Sequence, residues 1–331
     1  MKPFPKIEGI HAIPVPLPDM SDLITANVYV LGKGPVTLID TGPKVPGALE
    51  TIREGLNGMC LDFQDIERMI FTHGHLDHFG LASEIRRAAG HEIECFIHGE
   101  DRWQLSKEDI REGILGEEAD EFMEAVGLPE KERENIRRRF ASFMELSDPL
   151  DQASLMGDGD EFAGEGYHLR VIHTPGHTPG CCCLYETGTR VLFSGDHIIK
   201  HITPNPLVVL KRERLTDPDY RSLKAHRDSL DKLKDLDAAY VFTGHGEYVE
   251  DLPGIIASYE THRRERMDLI RQVLKKKQGP LYLLVDDIFP HVPEGDLFLA
   301  MSEIVVHLEV LIEEGRAELV DPGPPALYRA L

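Results

Sequence analysis

The stretch Thr72–Gly80 has the sequence THGHLDHFG and directly follows the short apolar run Met69–Phe71. An apolar run of this kind is typical of a buried strand, and the polar segment after it marks the strand's end. The metal-competent side chains of this segment are His73, His75, Asp77 and His78. Because a strand that ends in such a turn can direct several ligands at one point, the spacing predicts a metal site.

Three further candidates follow, each beside a glycine: His177 in HTPGHTPG, Asp196 in LFSGDH and His245 in VFTGHG. Imidazole and carboxylate ligands suit zinc, iron or manganese, whereas closed structural zinc sites are dominated by cysteine. Seven candidates exceed the needs of one tetrahedral ion. We therefore expect two divalent metal ions, zinc first and iron or manganese as alternatives, that share a bridging ligand. Such a pair lowers the pKa of a bridging water and supplies a metal-bridged hydroxide for hydrolysis.

The composition excludes several classes of protein. The chain has 331 residues with 41% hydrophobic content, which is enough for a sizeable core. Its net charge of −22 disfavours non-specific attraction to nucleic acid and to anionic membranes. Residues 1–20 contain five prolines and no continuous apolar segment, and no apolar run of about 18 residues occurs anywhere. We expect a soluble, cytoplasmic protein that acts on a small molecule.

Alternating strand and helix patterns predict an α/β fold over the first hundred residues. From about residue 100 to residue 157 the sequence becomes charged and helical in period, which indicates a helical insertion. Two interpretations remain open: a solvated insertion, or a cap that presents apolar side chains to a substrate. The apolar side chains that would form such a cap are Phe122, Met123, Phe140 and Phe143.

Residues 253–331 are expected to form a separate C-terminal domain. Two amphipathic helices over Ile255–Leu274 and Leu297–Glu314, a short helix between them and a terminal hairpin describe a winged helix. This segment has nine Lys and Arg against thirteen Asp and Glu, and Leu297–Glu314 has no Lys or Arg. Because a helix that reads a groove needs donors and phosphate contacts, nucleic acid binding is not expected. We expect the tail to serve packing or homodimerisation.

The motifs resemble those of the metallo-β-lactamase superfamily over about residues 8 to 250, with counterparts at Asp40, Thr72–His78, His177, Asp196 and His245. The resemblance implies an αββα sandwich over residues 1–252, with the metals at one edge of two packed sheets. It implies that His73, His75 and His177 bind one ion, that Asp77, His78 and His245 bind the second, and that Asp196 bridges them. Asp40 would orient ligands from outside the coordination shell. Asp77 would also help to place the hydroxide or pass its proton to the leaving group.

Two residues narrow the branch of this superfamily. True β-lactamases generally lack an aspartate at the position of Asp196, so antibiotic hydrolysis is not expected. Flavodiiron proteins have glutamate at the position of His75, so that redox branch is not expected either. The segments Gly195–Ile198 (GDHI) and Ile202–Asn205 (ITPN) are similar to those of relatives with a winged-helix tail. The chain thus resembles glyoxalase II-like hydrolases and the β-lactamase-like protein 2 type.

Other polar residues near these motifs have local interpretations. His197 and His201 follow Asp196 on a loop expected at the metal side, where they are candidates for substrate contact or for local packing. Cys181–Cys183 fit small buried residues that alternate across a sheet, with a redox-sensitive thiol or an inhibitory ligand as the alternative. Five cysteines, odd in number, make a poor disulfide framework.

Together these features predict a metal-dependent hydrolase that acts on a thioester, a lactone or a related carboxylic ester. One alternative is a single-strand endoribonuclease or phosphodiesterase, which the tail favours and the charge opposes. Another is a metal-binding regulatory protein with weak turnover, since intact ligands establish a site and not a rate.

Overall fold

The computed structural model describes residues 2–17, 23–150, 152–204, 206–210, 215–293 and 296–331. Asn205, the last residue of the ITPN segment, lies outside the described residues. The strands are β1 (Ile10–Pro16), β2 (Thr25–Leu31), β3 (Val36–Ile39), β4 (Ile66–Ile70), β5 (Glu94–His98), β6 (Ser154–Met156), β7 (Glu161–Gly164), β8 (Tyr167–His173), β9 (Cys182–Glu186), β10 (Val191–Gly195), β11 (Tyr240–Thr243), β12 (Ala317–Asp321) and β13 (Leu327–Ala330). The helices are α1 (Ala48–Asn57), α2 (Leu76–Phe79), α3 (Ala82–Ala89), α4 (Lys107–Leu115), α5 (Glu117–Ala125), α6 (Glu130–Phe143), α7 (Ser222–Leu233), α8 (Leu252–Lys276), α9 (Val285–Ile288) and α10 (Leu297–Glu313).

The first sheet has six strands in the order β1 to β6, antiparallel as far as β3 and parallel from β3 onward. Apolar residues on one face of α1 and α3, including Ile52 and Ile85, pack against Leu38 and Met69 of this sheet. The two helices bury their apolar faces against the sheet and form the outer layer on one side of the molecule.

The second sheet has the order β11-β10-β9-β8-β7, and only β10 and β11 pair in parallel. Its inner face packs against the first sheet. Phe193 and Phe242 of the second sheet are buried in one cluster with Tyr29 and Ile39 of the first. Its outer face is covered by α7 and the first turns of α8. The layers therefore follow the order helix, sheet, sheet, helix, which confirms the αββα sandwich predicted from the sequence.

Strand direction brings the polar segments to one edge of the sandwich. In the first sheet β3, β4 and β5 are parallel. In the second sheet β8, β10 and β11 share one direction, since β8 and β10 both pair antiparallel with β9. A bridge between Ala26 and His245 joins the two sheets at this edge. Ligands commonly bind outside the carboxyl ends of parallel strands, which is where the candidate residues lie.

The helical insertion and the tail share one hydrophobic core. Met123 and Ile136 of the insertion are buried in the same cluster as Met267, Met301 and Ile304 of α8 and α10. Two backbone bonds reinforce the contact, from the amide of Tyr282 to the carbonyl of Val126 and from the amide of Ala326 to the carbonyl of Ala125. The packed helical body therefore includes residues of the insertion as well as of the tail, and a domain boundary near residue 252 stays a prediction.

The aromatic residues proposed as a substrate cap face this core instead. The rings of Phe122 and Phe140 lie 5.6 Å and 5.0 Å from the ring of Phe298 on α10. Phe143 lies beneath the guanidinium of Arg139. The interpretation as a cap over the site was therefore wrong for Phe122 and Phe140, because the tail covers both rings.

Two further features differ from or extend the sequence interpretation. Ser154–Met156, inside the range predicted as helical, is strand β6 and pairs with β5. A strand of three residues is too short to show the alternation by which strands are recognised.

The tail contains α8, α9, α10 and the antiparallel pair β12 and β13, in the order expected. Within the described ranges, every helix is too short or too polar to span a bilayer.

The shared core predicts that a change in the insertion destabilises the whole helical body. Met123→Ala removes a side chain that is 1% exposed and leaves a cavity between the insertion and the tail. We expect it to lower the free energy of unfolding by about 2–5 kcal/mol in denaturant titrations. Leu283→Ala, at a side chain that is 62% exposed, serves as the control. Equal stability of the two variants would contradict the shared core.

Candidate metal centre

Asp40 connects the end of β3 to the THGHLDH turn. Its backbone has φ of 57°, a left-handed conformation that aspartate tolerates better than most residues and that often marks functional sites. One carboxylate oxygen, Oδ1, accepts the amide of Thr72 at 2.8 Å. The other, Oδ2, accepts the hydroxyl of Thr72 and Nδ1–H of His78, both at 2.8 Å. These bonds orient the His78 ring so that Nε2 faces away from Asp40.

Two other histidines of the centre, His73 and His245, are oriented in similar ways. Nδ1 of His73 lies 3.1 Å from the hydroxyl oxygen of Thr72, which can accept its proton because the hydroxyl donates to Asp40. Nδ1–H of His245 donates to the carbonyl oxygen of Thr25 at 2.8 Å. A histidine that donates through one ring nitrogen presents a lone pair at the other, which is the arrangement of metal-binding histidines.

Asp196, directly after β10, lies among these rings. Its Oδ1 is 3.3 Å from Nε2 of His78, and its Oδ2 is 3.1 Å from Nε2 of His245 and 3.5 Å from Nε2 of His177. His177 in turn lies 3.0 Å from Nδ1 of His75. The candidates on the four ligand-bearing segments therefore converge on one small volume.

Metal-binding atoms lie within 4.8 Å of one another in three groups of the described residues. The groups are His73, His75 and His177; His73, His78 and Asp196; and Asp77, His78 and His245. Every ligand candidate expected from the sequence belongs to at least one group, and Asp40 stands outside them as a hydrogen-bond acceptor. The groups overlap at His73 and His78, so the cluster is continuous.

The charges of the cluster fit divalent cations. Asp40, Asp77 and Asp196 form ion pairs only with histidines in the described part of the chain. Although burial lowers it, contacts with Asp196 and Asp77 raise the pKa of His245 to about 10. Burial likewise opposes ionisation of Asp196, but His245 and His78 hold its pKa well below the ordinary value. The carboxylates thus attract positive charge that a divalent cation can supply.

Two buried atoms support the fit more directly. Nε2 of His73 and Oδ1 of Asp196 are shielded from solvent and have no hydrogen-bond partner among the described residues. His73 is 0% exposed, and burial together with the neighbouring His78 and His75 lowers its pKa well below the ordinary value. A neutral imidazole and a carboxylate oxygen that lack partners inside a protein are costly unless something binds them. Metal coordination would satisfy both atoms.

Comparison with known proteins agrees with this geometry. A family model described as the metallo-beta-lactamase superfamily matches residues 22–245, which include every residue of the cluster. The chain belongs to this superfamily. The family and the fold predicted from the sequence are thereby confirmed, and with them the prediction of an enzyme in a superfamily of metal-dependent hydrolases.

Several superfamily members resemble the chain over nearly its full length. The probable metallo-hydrolase YqjP of Bacillus subtilis is 29% identical over 93% of this chain and 93% of its own length. A beta-lactamase-like protein 2 homolog of Caenorhabditis elegans is 24% identical over 88% of this chain and 80% of its own length. A crystal structure of a metallo-beta-lactamase family protein from Thermus thermophilus superposes with a TM-score of 0.83 and 27% identity, covering 98% of this chain and 99% of that one. The similarity therefore includes the insertion and the tail.

The metallo-beta-lactamase centre of this chain is partly open to solvent at His75, Asp77 and His177. His73, His78 and His245 are buried, whereas the side chains of Asp77 and His177 keep 12% and 11% exposure. A substrate can therefore reach the cluster at these three partly exposed residues.

The two histidines after Asp196 lie in different environments. His197 is 0% exposed and packs against the ring of His226 at 4.6 Å. Of its two interpretations, local packing therefore holds and direct substrate contact does not. The loop turns inward at this point, since the amide of His197 donates to the carbonyl of Ser194. His201 is exposed and lies against Gly246, where an added Cβ would come within 2.6 Å of its ring. His201 thus stays beside the loop that carries His245.

The three consecutive cysteines are structural. Cys181, Cys182 and Cys183 are free and 0% exposed, and Cys182 and Cys183 enter the cores on opposite faces of the second sheet. Burial raises the pKa of the Cys183 thiol to about 12, which leaves it as an unreactive thiol. The alternation across the sheet is that expected from the sequence.

Two further residues support the loops of the centre, and the sequence analysis missed the first of them. Asp101, 0% exposed, follows the end of β5 and bonds to the segments that carry His75 and His177. Tyr259 of α8 is buried, and its hydroxyl both accepts from the amide of Ile199 and donates to its carbonyl. The position of Asp101 after a parallel strand was a usable signal, because the other functional segments also follow strand ends. The contact of Tyr259 with Ile199 had no such signal, because its partner is a backbone group distant in sequence.

The contacts of Asp40 predict an effect on metal binding. Asp40→Asn keeps the size of the side chain, but its amide group cannot accept all three hydrogen bonds from Thr72 and His78. We expect metal affinity to fall by about 10- to 100-fold in competition titrations with a chromophoric chelator. Glu67→Gln, an exposed change on β4, is the control and should leave affinity unchanged. Unaltered affinity in the Asp40 variant would exclude this role.

Proposed function

We propose that this protein is a dinuclear metal-dependent hydrolase whose substrate is a thioester, a lactone or a related carboxylic ester. The observation that carries the proposal is the position of Asp196, whose carboxylate lies within 3.5 Å of His177 and within 3.3 Å of His78 and His245. A carboxylate in contact with both sets of histidines is placed to bridge two ions.

In this proposal each ion has its own ligand set. One set is His73, His75 and His177, and the other is Asp77, His78 and His245, with Asp196 between them. Zinc is the expected metal, and iron or manganese suits the same nitrogen and oxygen donors. When bound, the ions would supply a water nucleophile active near neutral pH and would stabilise the negative charge that develops on the substrate carbonyl.

Asp77 is the candidate for proton transfer. Its carboxylate contacts Nε2 of His245 at 3.3 Å and keeps 12% exposure, so it reaches both the cluster and the open side. Although burial raises it, the nearby His78 and His245 lower the pKa of Asp77 below its ordinary value, so the group is ionised at neutral pH. An ionised carboxylate can accept a proton from the attacking water and deliver it to the leaving thiolate or alkoxide. His201, exposed beside Gly246, is a candidate for substrate contact.

Charge favours an ester over a polynucleotide. The net charge of −22 opposes binding of a phosphate backbone. In the described part of the tail, Arg266, Arg316 and Arg329 pair with acidic side chains. Because each of these arginines is partly neutralised by its partner, its attraction for single-stranded RNA is reduced. A neutral carboxylic ester has no phosphate charges for the acidic protein to repel.

The role of Asp77 predicts a loss of turnover. Asp77→Ala should lower kcat for ester or thioester hydrolysis by about 10²- to 10⁴-fold, because proton transfer from the nucleophile and to the leaving group is lost. Hydrolysis would be measured on a panel of acyl thioesters, lactones, bis-p-nitrophenyl phosphate and single-stranded RNA. Metal content measured on the same samples separates loss of proton transfer from loss of an ion.

The panel also separates the alternatives. Cleavage of RNA or of the phosphodiester without ester hydrolysis would overturn the proposed substrate class. Absence of turnover on every compound by metal-loaded protein would favour a metal-binding regulatory protein. An Asp77→Ala variant as active as the parent would contradict the proposed proton transfer.

A further inference from the structure

Asp101 is a buried carboxylate that belongs to none of the three metal-binding groups. It lies in a short 3₁₀ helix, Gly99–Leu105, that follows β5 at the edge of the sheet where the other functional segments end. Isolated buried carboxylates are costly, so its surroundings must hold it with hydrogen bonds.

Its hydrogen bonds connect two separate ligand segments. Oδ2 accepts the amide of Gly74 at 3.0 Å and the hydroxyl of Thr178 at 2.6 Å, and Oδ1 accepts the amide of Gly180 at 2.8 Å. Gly74 stands between His73 and His75, and Thr178 directly follows His177. One side chain thus fixes the spacing between the two segments that carry the three-histidine group.

The close approach of these segments requires glycine at two positions. A Cβ at Gly180 would lie 2.6 Å from Cγ of Asp101, and a Cβ at Gly74 would lie 2.7 Å from Cβ of Gln104. Real Cβ atoms do not tolerate such distances, so both segments are shaped to receive the 3₁₀ helix. This packing is independent of the hydrogen bonds and indicates the same close contact.

The second ligand group has different supports. His78 is held by Asp40, and His245 by the carbonyl of Thr25. The three hydrogen bonds of Asp101 reach neither residue, so its influence is directed at one half of the centre.

We propose that Asp101 is a positioning residue that sets the geometry of the His73, His75 and His177 group, and thereby the affinity of one of the two ions. The inference rests on the dinuclear site proposed above. An ionised carboxylate suits the position because all three partners are donors. Asparagine cannot replace it, since its amide group must face at least one N–H or O–H.

Metal affinity and cobalt spectroscopy test this role without relying on activity. In Asp101→Asn we expect the affinity of one ion to fall by about 10- to 100-fold while that of the other changes less than about threefold. The visible absorption of the cobalt(II)-loaded protein should change with it. Thr178→Val, which removes one of the three bonds, should give a smaller effect, and Glu108→Gln on the exposed face of α4 should give none.

The outcomes are distinguishable from failure of the proposed function. Equal loss of both affinities, or a lower melting temperature with both affinities intact, would overturn the positioning role. A parent protein that binds a single ion would contradict the dinuclear site, and a lower affinity of that ion in Asp101→Asn would still support Asp101.

Discussion

Three carboxylates, Asp40, Asp77 and Asp196, lie at the edge of the sandwich with histidines as their only ion-pair partners in the described part of the chain. Taking carboxylates out of water costs several kcal/mol each unless opposite charge or hydrogen bonds compensate. Because no lysine or arginine supplies that charge among these contacts, the site favours cations. The surrounding fold is arranged to keep these groups in place.

The arrangement depends on strand direction. Parallel pairing of β3, β4 and β5, and the shared direction of β8, β10 and β11, bring segments far apart in sequence to one edge. Asp40 orients His78, the carbonyl of Thr25 orients His245, and Asp101 joins the segments of His75 and His177. Hydrogen bonds therefore hold both ligand sets in place, which is how a protein keeps a site within the tolerance that catalysis needs.

The insertion and tail form a helical body beside this edge. Many of its apolar residues are used for packing, since Met123 and Met301 share one core. Tyr259 nevertheless contacts the loop after Asp196 through both backbone groups of Ile199. The body thus contacts the sandwich at a loop that also carries His201.

Much of the site could be read from sequence because its ligands are chemically distinctive and follow apolar strands, as His73 and Asp196 do. The sandwich followed from the alternating pattern together with the family motifs. The packing partner of Phe122 could not be read, because helical periodicity identifies an apolar face and not what covers it. The choice between packing and substrate contact for His197 could not be made for a related reason: position after a ligand does not reveal whether a loop turns inward. Asp101 required knowledge of which loops meet across the sheet.

The central claim is that two ions share Asp196. An anomalous-scattering map of crystals of the metal-loaded protein tests it most directly. The account predicts two peaks about 3.5–4 Å apart, one beside His73, His75 and His177, the other beside Asp77, His78 and His245, with Asp196 in contact with both. A single peak at full loading, or a second peak that Asp196 does not touch, would contradict it.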